Sequence, residues 1–154
     1  MAIMTDIRLF QEHHRDALRK IYLESRSHFF TWLDVSSFKL QDFDLDTKGE
    51  RIWVAFDHAP GHALSHKSPV GFASTWVPKN FLHNLYVAPQ HTGKGIGKAL
   101  LTTCMEHLGR PATLKCMESN KRALNFYLAN GWVIKSQGMN EHGGYYVMKY
   151  YNRN

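Results

Sequence analysis

Three glycines at alternate positions, Gly93, Gly95 and Gly97, are interleaved with Lys94, Ile96 and Lys98. They follow the apolar run Leu85-Tyr86-Val87-Ala88-Pro89 and open a stretch with apolar residues at every fourth position. A glycine has no Cβ to keep a ligand away from backbone N–H groups. A helix start adds unpaired N–H groups and the positive end of the helix dipole. The segment Gln90-His91-Thr92-Gly93-Lys94-Gly95-Ile96-Gly97-Lys98 is therefore predicted to cradle an anion, and its arrangement suits a pyrophosphate. Two better-known phosphate loops do not fit. A Walker A loop needs Ser or Thr after its Gly-Lys, and Gly97-Lys98 is followed by Ala99. A dinucleotide fingerprint needs a third glycine where Lys98 stands.

Other chemistry-bearing residues are weaker signals. His58, His62 and His66 are spaced by four, the spacing of metal ligands on a helix face, but Pro60 and Gly61 interrupt any such helix. The expectation is a polar loop and no metal. Cys104 and Cys116 make no CxxC pair. Cys104 falls on an apolar helical stripe, which points to packing.

The elements that must position these residues follow from periodicity and breakers. Ile7–Phe10 reads as an opening strand, and Glu12 to about Phe30 as a helix with Leu18, Ile21, Tyr22 and Ser25 on one face. Residues 34–50 form a weak acidic helix or loop ending at Gly49. Arg51–Asp57 and Val70–Val77 are strands of a hairpin with a long loop. Phe81–Val87 is a strand stopped by Pro89. A helix carries Ile96, Leu100, Cys104 and Leu108, and ends at Gly109 and Pro111. Ala112–Met117 is a strand. Ser119 or Asn120 caps a helix with Ala123, Leu124, Tyr127 and Leu128 on its stripe, stopped by Asn130-Gly131. Strands Trp132–Ser136 and Tyr145–Tyr151 flank a glycine-rich turn, Gly138–Gly144. The expected class is α/β or α+β, with a mixed sheet.

The chain has 154 residues, which predicts one domain with a real core and no need for a disulfide or metal staple. Its 44% hydrophobic and 21% charged composition argues against disorder, collagen and coiled coil. No apolar run approaches the roughly 20 residues of a membrane helix, and the first ten residues lack the pattern of a secretory signal. A cytoplasmic location with reduced thiols is the expectation. The formal charge of +6 is uneven. Residues 34–50 set Asp34, Asp42, Asp44, Asp46 and Glu50 against Lys39 and Lys48. Residues 91–135 set seven cations, among them Lys115, against Glu106 and Glu118. The basic half suggests a polyanionic ligand or a solvated surface.

Gln90-x-x-Gly93-x-Gly95 after a strand resembles the acetyl-CoA motif of the GNAT superfamily of N-acetyltransferases. Ser119-Asn120-x-x-Ala123-x-x-Phe126-Tyr127-x-x-x-Gly131-Trp132 resembles that family's other signature. The resemblance implies a largely antiparallel sheet of six to seven strands flanked by about four helices, over one domain of residues 1–154. It implies an acetyl group passing from acetyl-CoA, a co-substrate, to an amine by direct attack in a ternary complex, with no metal. The strand matching Leu85, Tyr86 and Val87 would pair with the pantetheine arm, and the turn from Gln90 to Lys98 would hold the pyrophosphate. The residue matching Asn120 would contact the pantetheine, and Tyr127 would protonate the leaving thiolate. A strand N–H near Leu85 would stabilise the oxyanion. Where some relatives carry a carboxylate base, this chain has His83, which titrates near neutral pH and could serve directly or through water; Glu118 is a weaker candidate. Lys115 stands where other relatives carry an acid. The acceptor pocket is expected from the first half, with His28, Phe29, Phe30, Trp32 and Trp76 as candidates.

Two alternatives to a transferase remain at this level: a module of the same fold that binds acyl-CoA without turnover, and a basic nucleic-acid-binding domain. The transferase reading expects a small-molecule or peptide amine, no nucleic acid and no membrane. The last strand could pair across a homodimer.

Overall fold

A computed structural model describes residues 4–58 and 68–153. Among these residues seven strands form one mixed sheet: β1 (Met4–Leu9), β2 (Arg51–His58), β3 (Pro69–Trp76), β4 (Phe81–Val87), β5 (Ala112–Met117), β6 (Val133–Asn140) and β7 (Gly143–Tyr150). Their order across the sheet is β1-β2-β3-β4-β5-β7-β6. Four α-helices accompany them: α1 (Arg15–Phe29), α2 (Asp42–Asp46), α3 (Ile96–Glu106) and α4 (Lys121–Ala129). This is the mixed, largely antiparallel architecture expected from the sequence. No helix among the described residues is long and apolar enough to cross a membrane.

Strand alternation sorts the core into two layers. Val54, Phe56 and Phe72 face α1 and α2, where Leu18, Ile21, Tyr22 and Phe43 meet them. Ala55, Ala73, Leu82, Leu114 and Met148 face the other way, toward Ile96, Leu100, Cys104 and Tyr127. The helical stripes read from the sequence are the buried ones: Leu18, Ile21, Tyr22 and Ser25 on α1, and Ile96, Leu100, Leu101, Cys104 and Met105 on α3.

The acidic segment is held by ion pairs and hydrogen bonds to α1. Asp44 accepts from Arg15 at 2.8 Å and from Arg19 at 2.7 Å. Asp42 accepts from the buried Arg26 at 3.2 Å, and Asp46 accepts from the Tyr22 hydroxyl at 2.5 Å. These carboxylates clamp the one-and-a-half-turn α2 onto α1. Arg15 and Arg19 hold the Asp44 carboxyl below the usual carboxylate range. The glycine-rich turn was drawn too wide. β6 runs to Asn140 and β7 starts at Gly143, so Glu141 and His142 alone make the turn, helped by Gly143 at φ 113° and by the His142 N–H donating to Asn140 Oδ1. The β2–β3 hairpin forms as read, but His62 and His66 of the histidine series lie outside the described residues.

The two halves of the sheet barely join. β4 and β5 are parallel neighbours, and their register holds one pair, Phe81↔Thr113, beside an N–H of Thr113 donating to the Asn80 carbonyl at 2.9 Å. Beyond Phe81 the strands part, so the edge of β4 from Leu82 onward has no strand beside it there.

Candidate active site

A cleft of about 610 Å³ opens where the strands part. Its walls are Leu85 and Val87 of β4, the turn from His91 to Lys98, and Arg122, Ala123, Asn125, Phe126 and Tyr127 of α4. The volume lies within the 300–1,000 Å³ range of small-molecule sites.

The turn holds the conformation the glycines suggest. Gly93 has φ 80°, and Gly95, the residue before α3, has φ 82°. Both values are left-handed, where L side chains are strained. A Cβ built on either would point into open space, so the space in front of the backbone is free for a ligand. No side chain caps the α3 start, and its N–H groups remain available to an anion. Within the turn, Thr92 Oγ1 donates to the Pro89 carbonyl at 3.2 Å. Lys98 lines the cleft. Lys94 instead approaches Asp57 at 3.6 Å, beside His91. Gln90 does not line this cleft. It shares a shallow groove with Glu24, Ser27, His28 and Pro89, and that also separates His28 from the cleft.

Tyr127 sits on the inner face of α4, packed edge-on against Trp132 with ring centroids 5.9 Å apart. No described residue hydrogen-bonds its hydroxyl, and Tyr127 is one of the residues lining the cleft. Burial, with Cys116 nearby, raises its pKa well above that of a free phenol, so the hydroxyl stays protonated. The Asn120 side chain is committed to its own helix, accepting from the Ala123 N–H at 3.2 Å. Burial pushes the Cys104 thiol up to about 12 and the Cys116 thiol up to about 11, so neither is a nucleophile near neutral pH. Glu118 packs against Gly144, where a Cβ would meet its carboxyl carbon at 2.7 Å.

His83 is the extra residue of a β-bulge. Ser74 pairs with Asn84 and Thr75 with Leu82, which leaves His83 between them. Its Nδ1 lies 2.7 Å from Glu50 Oε2. A carboxylate only accepts, so Nδ1 carries the proton and Nε2 is the basic atom of the neutral ring. Glu50 is itself held: the Ser74 hydroxyl donates to Oε1 at 2.7 Å, and Asn84 Nδ2 donates to that hydroxyl at 2.8 Å. The Glu50 hydrogen bond raises the His83 pKa against the opposing effect of burial. Sequence reasoning counted Glu50 only as part of an acidic segment. Glu50 lies 33 positions from His83, and no local spacing links the two. Arg122 and Asn125 were likewise passed over as cleft residues, although Arg122 belongs to the basic half that suggested an anionic ligand.

The aromatic candidates lie on the α1 side of the sheet. Phe30 packs on Trp32 and Tyr86, with centroids 5.0 and 6.3 Å away. The Arg122 guanidinium stands 4.0 Å over the Phe29 ring and so links α4 to the end of α1. Trp76 is 41% exposed and stands beside Gly49. The residues that bear on chemistry therefore divide between the two faces of the sheet. Leu85, Val87 and Tyr127 pack with the α3 core, whereas Phe81 and His83 stack at 5.8 Å on the other face.

The family model for the acetyltransferase (GNAT) family matches residues 15–132. Among solved structures, apo YjaB from Escherichia coli is 19% identical, with 96% of this chain and 97% of that chain covered and a TM-score of 0.75. The PaiA N-acetyltransferase of Thermoplasma acidophilum, in complex with coenzyme A, is 18% identical over 97% and 99% of the two chains, with a TM-score of 0.75. YncA from Salmonella typhimurium, with its cofactor acetyl-CoA, is 18% identical over 96% and 93%, with a TM-score of 0.66. A search of curated protein sequences returns no match.

Proposed function

The chain belongs to the GNAT acetyltransferase family, and on that premise we propose that it transfers an acetyl group from acetyl-CoA to an amine by direct attack, as one catalytic domain. The observation that carries this reading is the cleft itself: an uncapped helix start behind two open glycines at one end, and a protonated Tyr127 at the other. The groups present fit acetyl-CoA. The turn offers N–H donors and Lys98 to a pyrophosphate, and the parted edge of β4 offers backbone to an amide-bearing arm. Arg122 adds a cation at the rim.

Acetyl-CoA supplies the activated acyl group, as a thioester. His83 Nε2 takes the proton from the acceptor ammonium, and the amine nitrogen bonds to the acyl carbon. A β4 N–H near Leu85 steadies the charge that develops on the carbonyl oxygen. As the carbon–sulfur bond breaks, Tyr127 gives its proton to the departing sulfur, and the second proton lost by the attacking nitrogen restores the Tyr127 phenol. Glu50 is a positioning residue: it fixes the tautomer of His83 and stabilises the imidazolium, as the carboxylate does in a Ser-His-Asp triad. Asn120, with its amide engaged in the helix cap, reaches the arm only through whatever capacity remains on that group.

The direct test is calorimetric titration with acetyl-CoA beside a Gly95→Glu variant, followed by CoA release with amine acceptors. Saturable binding lost in the variant, together with acceptor-dependent CoA release, supports the reading. No binding by the wild type ends it. Binding without turnover on any amine favours an acyl-CoA sensor instead.

A further inference from the structure

The face of the sheet opposite the cleft carries a charge pattern that bears on the acceptor. Phe81 and Thr113 are partners in the single β4–β5 register, so their side chains share that face. His83 and Lys115 each lie two residues further on, one on each side of the opening gap. Lys149 pairs with Thr113 across β7, with Nζ 3.4 Å from Thr113 Oγ1. Lys115 is exposed and its Nζ stands 5.2 Å from the Tyr145 ring centroid. Neither lysine pairs with a carboxylate among the described residues. The acids nearest in sequence to the acceptor side are already engaged: Glu50 by His83 and Ser74, Asp42 by Arg26, Asp44 by Arg15 and Arg19. Lys115 and Lys149 thus give this face two cations without a carboxylate partner among the described residues, which favours an anionic group on the acceptor.

We propose that the acceptor bears a carboxylate within a few bonds of its amine, held by Lys115 with Lys149 behind it, while the amine faces His83. Adjacent strands lie about 4.8 Å apart, and the gap widens from there. An amino acid or the end of a short peptide lying across that gap would set its amine toward His83 on β4 and its carboxylate toward Lys115 on β5. Trp76, the register partner of Phe81, extends the same face and supplies apolar surface for a side chain.

This inference rests on the transferase reading, and the experiment separates the two. CoA release is measured with phenylalanine and phenylalaninamide, with glutamate, and with spermidine, for the wild type, Lys115→Met and Lys115→Glu. Lys115 is exposed, so neither substitution threatens the fold. The CoA complex is also titrated calorimetrically with N-acetylphenylalanine and its amide, a readout that needs no turnover. The expected result is a preference for the carboxylate form in both assays. That preference falls roughly two- to fivefold in Lys115→Met, the scale of one exposed charge pair, and falls further in Lys115→Glu, with acetyl-CoA affinity unchanged. Preference for spermidine, or a carboxylate-to-amide ratio the same in all three proteins, overturns the proposal while leaving the transferase intact. Failure of the wild type to bind acetyl-CoA overturns both, and the calorimetry shows which has failed.

Discussion

In the proposed mechanism Tyr127 and His83 carry the proton traffic, and their surroundings set opposite tasks. Burial keeps the Tyr127 phenol protonated, so it can only donate. Replacing it with Phe is expected to lower kcat by about 10²–10⁴-fold, with acetyl-CoA affinity nearly unchanged by calorimetry; unchanged kcat would remove Tyr127 from the mechanism. His83 must be neutral to accept a proton. Its hydrogen bond to Glu50 raises its pKa above the ordinary value of about 6.5. Activity should therefore fall as pH drops through that raised value. In Glu50→Gln the stabilisation of the imidazolium is lost, and the acid limb of kcat/KM should move to lower pH while kcat at the plateau falls. A limb that does not move would mean the limb belongs to the amine of the acceptor.

At the scale of elements, two devices hold the site in shape. The first is the α1–α2 clamp. Arg26 is 6% exposed and lies 3.7 Å over the Tyr22 ring and 4.3 Å over the Phe38 ring, while it donates to Asp42 and to the Tyr22 carbonyl. Arg26→Ala removes stacking and charge-assisted hydrogen bonds together, and is expected to destabilise the fold by about 2–3 kcal/mol, read from the midpoint of urea unfolding. A change within about 0.5 kcal/mol would show that α2 holds without it. The second is the turn before α3. Gly95 occupies a left-handed conformation in front of free N–H groups, so Gly95→Glu adds both strain and a charge repelling an anion. Acetyl-CoA binding should be lost, with the far-ultraviolet spectrum retained.

Across the whole molecule the weak seam is the single-pair contact between β4 and β5. The cleft is lined by Leu85 and Val87 of β4 on one side of the seam and by α4 on the other, so a ligand held there would bridge both halves. Acetyl-CoA at 100 times its Kd is expected to stabilise the protein by about 2.7 kcal/mol. A thermal melt reads this, and hydrogen exchange should show slowed amides in β4 and in the turn before α3. Protection confined to α1 and α2 would place the ligand elsewhere.

Local physics was legible in the chain. The stripe on α3, the strand limits of β4 and β5, the cap at Ser119 or Asn120 and the glycine turn each depend on neighbours within about one helical turn, and sequence spacing records such neighbours directly. So did the division into acidic and basic segments. What the charges do was decided in three dimensions. Asp42 and Asp44 pair with arginines of α1 and Asp46 with the Tyr22 hydroxyl, because packing sets α2 against that helix. The sheet order, the bulge at His83, the 33-residue link to Glu50 and the open lysine face depend on which strand lies beside which. Those contacts join residues far apart in sequence, and only burial of the two cores brings them together.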